Sequence, residues 1–233
     1  MKAFKGFNKD LKCRDFQYEI GKEYETDKAV QCECGFHACE HPLDVLGYYP
    51  PVEGNRYCEV EQSGEISKGN DDSKVASTKI KIGAEIGIKG LINAAFEYTK
   101  ERCTNSEQGA DSSALTGGDS SALTGGDSSA LTGGDRSALT GGYKSALTGG
   151  DSSALTGGDS SALTGGDSSV VYGGEGAKVR GGKGSVLALQ YWKNYEFKGI
   201  KFKEVDGVKI KENTYYSLDK NGRFKEVKES EDK

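Results

Sequence analysis

The sequence predicts a mainly β protein: a repeat β-solenoid of 16-residue coils, two octads per coil, with an α+β domain before it and a β-rich cap after it. Three observations predict this. An octad, Asp-Ser-Ser-Ala-Leu-Thr-Gly-Gly, starts at Asp111, Asp119, Asp127, Asp151 and Asp159, and variants of it fill residues 111–190 in a single register. Its paired glycines exclude a helix, because each would cost about 1 kcal/mol relative to alanine. Leucine returns at one phase, at Leu115, Leu123, Leu131, Leu139, Leu147, Leu155 and Leu163. A flexible linker has no reason to do that. Residues 111–182 hold 19 of the 34 glycines, so the low hydrophobic content of 34% describes a repetitive middle between two ordinary ends.

The chain divides on this basis into an N-terminal α+β domain (1–83), a capping helix with the entry to the array (84–110), the octad array (111–190), and a β-hairpin cap with a charged tail (191–233). In the first segment, strands are expected at Lys2–Phe7, Phe16–Glu19, Arg56–Gln62 and Lys74–Ile82, from runs of aromatic and β-branched residues. Pro42 suits the first turn of a short helix ending at Leu46. The run Cys32, Cys34, His37, Cys39, with His41 and Cys13, is metal-like in composition, and thiolates with imidazoles suit zinc. The spacing differs from the usual paired Cys-x2-Cys, so a compact turn of small buried residues with His37 hydrogen-bonded in place stands beside the zinc reading. Glu59-Val60-Glu61 on a strand fits ordinary alternation, with Glu59 and Glu61 on the solvent face.

The text Phe4-Lys5-Gly6-Phe7-Asn8-Lys9-Asp10-Leu11-Lys12-Cys13, then Cys34-Gly35-Phe36-His37-Ala38-Cys39-Glu40, then Pro42-Leu43-Asp44-Val45-Leu46, and finally Val60-Glu61, resembles an uncharacterised family common in bacteriophages and prophages. The resemblance covers about the first 100 residues and implies a phage origin, with no settled chemistry. The Glu-x-Glu pattern at Glu59 and Glu61 distantly resembles that of ADP-ribosyltransferase-like folds, which would imply an enzyme, but no arginine or Ser-Thr-Ser pattern completes such a site.

Ile88, Leu91, Ile92, Ala95 and Phe96 fall at helical spacing, so a helix over about 84–102 is expected to sit on the open first coil and hide its edge. In each octad the Ser-Ala-Leu-Thr strand alternates its faces. Leucine and the second serine then point inward, and alanine and threonine outward. The glycines are expected to supply positive φ at the corners. Ten octads make five coils, about 24 Å of stack at about 4.8 Å per coil. The phrase Ser-x-Leu-Thr-Gly-Gly-Asp-Ser resembles the octapeptide repeats of bacterial ice-nucleation proteins. Those carry an outward Thr-x-Thr row, whereas here the outward pair is Ala and Thr, which speaks against ice binding.

Two leucines per coil make a thin core, so such an array depends on neighbouring coils and on caps. Val186-Leu187-Ala188-Leu189-Gln190-Tyr191-Trp192 fits a last coil that turns into a capping sheet. Hairpin turns are expected at Val205-Asp206-Gly207-Val208 and at Asp219-Lys220-Asn221-Gly222, ahead of a frayed tail over 226–233.

The outward rows are the candidate interaction surface: Asp111, Asp119, Asp127, Asp135, Asp151, Asp159 and Asp167, with Thr116, Thr124, Thr132, Thr140, Thr148, Thr156 and Thr164. The aspartates have three readings: turn caps, cation ligands or phosphate mimics. The Gly-Gly-x-Gly-x-Asp calcium repeat is absent, and residues 111–190 sum to only −3. Arg136 and Lys144 are placed to relieve repulsion along the acidic rows. A net charge of −5 and the lack of a long apolar run argue against direct nucleic-acid binding and a membrane span. The expectation is a non-enzymatic accessory protein in the host cytoplasm or the virion. It has no cofactor unless zinc is held, and its solenoid is a rigid spacer or a surface that docks a bacterial host protein, such as a defence component, or a second copy of itself. A structural virion protein and an ADP-ribosyltransferase-like enzyme are the alternatives.

Overall fold

A computed structural model describes residues 1–50, 54–69 and 73–227 and divides into two compact units, 1–95 and 96–233. Unit 1 carries strands β1 (Lys2–Phe7), β2 (Lys12–Cys13), β3 (Phe16–Gln17), β4 (Glu23–Glu25), β5 (Phe36–Cys39), β6 (Arg56–Lys68) and β7 (Lys74–Glu85). β1 pairs with both β5 and β6, and β7 also pairs with both, so these four strands close on one another as a small barrel; β4 adds to β7. Two register shifts in the β6–β7 pair, at Cys58/Val60 and Ser63/Ile66, bend the long strands around the closure. Ala3, Phe7, Phe36, Ala38, Val60, Ile80 and Ile82 fill the core. Pro42 opens a 3-10 turn, Pro42–Asp44, continuing into α1 (Val45–Tyr48), as its missing N–H allows.

Two strands extend beyond their expected ends: β6 runs to Lys68 rather than Gln62, and β7 to Glu85 rather than Ile82. The sequence reading misses β5. Its cysteines and histidine mark it as a turn, yet Phe36, Ala38 and Cys39 are buried in a strand paired on both sides.

Helix α2 (Gly87–Glu101) falls where helical spacing places it. The array that follows has one rung more than the octads supply. Strand β8 (Asn105–Gln108) pairs in parallel with the first even octad, placing Glu107 opposite Leu123. All four β8 residues are exposed and Leu115 is only partly buried, so the first rung ends the stack with polar side chains at the open edge.

Odd octads form one parallel sheet from β9 (Ala114–Thr116), β11 (Ala130–Thr132), β13 (Ala146–Thr148), β15 (Ala162–Thr164) and β17 (Lys178–Arg180). Even octads form the other from β10 (Ser121–Thr124), β12 (Ala138–Gly141), β14 (Ala154–Gly157), β16 (Val170–Gly173) and β18 (Val186–Lys193). Every pair is in register at a 16-residue offset, leucine on leucine. Leu123 through Leu163 are at most 2% exposed and form one continuous core with Val171, Val179 and Leu187.

The second inward row is serine, and burying hydroxyls is tolerable only because each is bonded. Ser137 Oγ accepts from the Ser121 N–H at 3.3 Å and donates to the Gly118 carbonyl at 3.3 Å, and the pattern recurs up to Ser185.

Two expectations about the octad need correction. Positive φ at the corners belongs to the second octad residue: Ser112, Ser120, Ser128, Arg136, Lys144, Ser152, Ser160 and Ser168 lie at 54–59°. Glycine takes that position only in the degenerate octads, at Gly176 and Gly184. The paired glycines are needed for space. A Cβ on Gly141 would lie 2.7 Å from Ser145 Cβ, and one on Gly142 would lie 2.2 Å from Asp127 Oδ1. The outward faces are also unequal. Ala114, Ala130 and Ala146 of the odd sheet are exposed, whereas Ala138 and Ala154 of the even sheet are 2% and 1% exposed. The Cys103 thiol, just past α2, donates to the Arg136 carbonyl at 3.8 Å beside that buried row.

Both sheets end in antiparallel strands, which terminates the parallel stack. β18 turns into β19 (Glu196–Glu204) through Asn194 and Tyr195, both at positive φ, as a two-residue hairpin requires. β17 pairs with β20 (Tyr216–Leu218), which pairs with β21 (Phe224–Glu226) across the expected Asp219–Gly222 turn. There Asp219 Oδ1 accepts from the N–H groups of Asn221 and Arg223, which hold its carboxyl below the usual range. The expected turn at Val205–Val208 exists, with Asp206 Oδ1 accepting three N–H groups, but irregular chain follows it rather than a strand. The tail residues 228–233 lie outside the described residues. Among the described residues no helix is long and apolar enough to cross a membrane.

Candidate functional site

Unit 1 contains a cavity of about 860 Å³ lined by residues of β1, β5, the β2–β3 hairpin and α1. Its floor holds Lys5, which shares a face of β1 with the core residues Ala3 and Phe7 and is 5% exposed. The Lys5 ammonium donates to the His37 carbonyl at 2.7 Å and lies 3.6 Å from Cys13 Sγ. The Phe7 and Tyr18 rings stand 5.6 and 5.4 Å from Nζ. Among the described residues no carboxylate pairs with it. Burial therefore lowers its pKa from the ordinary lysine value, against weaker opposing effects of Cys13 and Cys39. Burial raises the pKa of the Tyr49 phenol, with Cys13 adding to the shift, and burial raises that of Tyr18. Phe16, Tyr18, Tyr24 and Phe36 pack in tilted and edge-to-face pairs at 4.7–6.3 Å, and three of them line the cavity. Lys74 at the rim donates to the Tyr48 hydroxyl at 2.9 Å.

The metal-like run is split by this geometry. Cys32, His37 and Cys39 line the cavity with Cys13, while Cys34 is bound into a bridge with Val30. His37 Nε2 accepts the Cys32 N–H at 3.0 Å, so one ring nitrogen is already used. Among the described residues no three His, Cys, Asp or Glu side chains form a group that could hold a metal ion. Thiol titration is then expected to run in order of exposure. Cys32 reacts first, and Cys58, wholly buried with its thiol pushed up to about 11, reacts last. A Cys32 thiol that reacts only after chelator treatment contradicts this arrangement.

Residues 1–94 match a family described as a domain of unknown function (DUF7666). The match contains the whole cavity. No curated protein and no solved structure matches the chain.

Glu59 and Glu61 lie outside the cavity lining: Glu59 pairs with Lys2 at 2.9 Å, and Glu61 is exposed on β6. Sequence reasoning missed Lys5. The signal was its phase, since in a strand Lys2–Phe7 it must share a face with Ala3 and Phe7.

Each aspartate of the array is bonded within the turn stack. The Tyr143 N–H donates to Asp127 Oδ1 at 2.8 Å, and Asp111, Asp119, Asp135, Asp151, Asp159 and Asp167 repeat this sixteen residues apart. The rows therefore join successive coils. Arg136 and Lys144 hold the left-handed turn position, and among the described residues neither forms an ion pair with an acidic side chain. Of the threonines, Thr116, Thr124, Thr132 and Thr148 are exposed, Thr140 and Thr156 half-buried. Thr164 Oγ1 is bonded by the Tyr215 hydroxyl at 2.8 Å and by Arg180 Nε at 3.0 Å.

Proposed function

We propose that the protein is a non-enzymatic interaction protein whose solenoid presents the odd-octad face to a protein of a bacterial host. The supporting observation is the asymmetry of the two outward faces. Ala130, Thr132, Ala146 and Thr148 are exposed, while Ala138 and Ala154 at the equivalent phase are buried. The exposed face is uncharged over these rungs, and its small side chains allow a partner backbone to approach closely with little ordering cost. The leucine, serine and aspartate rows behind it hold it rigid. Placement in the host cytoplasm and a defence component as target rest on the resemblance to phage proteins alone.

Ala130→Arg with Ala146→Arg is expected to abolish retention of a host protein that the unaltered chain captures from bacterial lysate, with thermal stability unchanged. Equal retention by both proteins, or none by either, overturns the proposal. A fall in native mass from dimer to monomer on the same substitutions also overturns it, because the face then pairs two copies of this chain.

A further inference from the structure

The geometry points to Lys5 as the covalent anchor of the unit 1 cavity, its amine condensing with a small flat carbonyl compound to form an imine. The inference is independent of the docking face and rests on unit 1 alone. A lysine facing a barrel core costs stability, because its ammonium loses water and gains no carboxylate in return. A purely structural role would be served as well by an apolar side chain between Ala3 and Phe7. Lys5 instead lines a cavity large enough for a small molecule. Desolvation among aromatic rings keeps an amine nucleophilic. The rings of Phe16, Tyr18 and Phe36 offer a flat partner edges and faces to pack on.

The reaction balances without a redox partner. Nζ attacks the carbonyl carbon, and the carbonyl oxygen takes up protons and leaves as water. The nitrogen loses both of its hydrogens in forming the C=N bond. Cys13 Sγ, 3.6 Å from Nζ, is a group with an exchangeable proton beside the reacting atom.

The test uses the full chain with benzaldehyde and sodium cyanoborohydride, which reduces an imine to a stable benzyl amine, followed by peptide mass mapping. The expected result is benzyl-Lys5 as the dominant adduct of the native protein, ahead of the exposed Lys193 and Lys220. Unfolding in urea is expected to erase that preference, and Lys5→Arg to remove the Lys5 adduct, leaving only slow labelling of exposed lysines. The urea comparison decides the matter even if the arginine variant does not fold. Labelling of exposed lysines with Lys5 unmodified, or a Lys5 yield equal in native and unfolded chains, overturns the inference.

Discussion

Leu147→Ala should lower the unfolding free energy of the array by about 2–5 kcal/mol, the range for emptying a well-packed leucine site. Leu147 is 1% exposed, stacked in register between Leu131 and Leu163. The cavity left behind cannot collapse, because the strands on either side are pinned by the Ser129–Ser145 and Ser145–Ser161 hydrogen bonds. In a stack each coil also relies on its neighbours, so the loss at a central rung is felt on both sides. Leu115→Ala removes the same atoms from the first odd rung, where the side chain is only partly buried, and should cost distinctly less. Urea denaturation followed by far-ultraviolet circular dichroism measures both. Equal losses for the two variants would falsify the view that stacking in register, rather than leucine content, stabilises the array.

Gly142→Ala is expected to be destabilising, by about 1–3 kcal/mol or more, while Gly118→Ala is neutral or slightly stabilising. The two glycines hold the same place in the same octad phrase. A Cβ on Gly142 would meet Asp127 Oδ1 at 2.2 Å, the Asp127 nitrogen at 2.9 Å and the Gly126 carbonyl carbon at 3.0 Å. The carboxylate can rotate away, at the loss of its bond to the Tyr143 N–H, but the backbone atoms of the preceding coil can yield only if the coils separate. A Cβ on Gly118 has nothing within 4 Å, and Gly118 is not at positive φ. Thermal unfolding of the two single variants checks the contrast. A melting temperature lowered equally in both would mean that the glycine serves backbone conformation and not coil spacing.

Much of the fold was legible because a repeat states the same instruction many times over. A leucine every eighth residue, paired glycines and strand alternation were enough for the coil length and the inward rows, and the apolar run Val186–Trp192 for a last coil that turns into a capping sheet. The corner conformation was misread because glycine serves two different needs, left-handed backbone and absence of a side chain, and composition does not separate them. The left-handed corner went instead to serine, arginine and lysine at the second octad position. Strand β5 was missed for a related reason: cysteine and histidine carry a chemical suggestion that outweighed the buried alternation of Phe36 and Ala38.

Of the candidate site, the sequence marked Cys13, Cys32, His37 and Cys39 but not Lys5, Tyr49 or the aromatic wall. Those groups come from separate stretches of chain and meet only because four strands close into a barrel. The octads likewise could not reveal that Ala138 is buried while Ala130 is exposed, since the two sit in the same local phrase. Local order in this protein was therefore determined by the sequence itself, through periodicities that act over eight and sixteen residues. Which faces stay open, and where a lysine is taken out of water, was decided only by the tertiary structure, because burial depends on partners that no local pattern specifies.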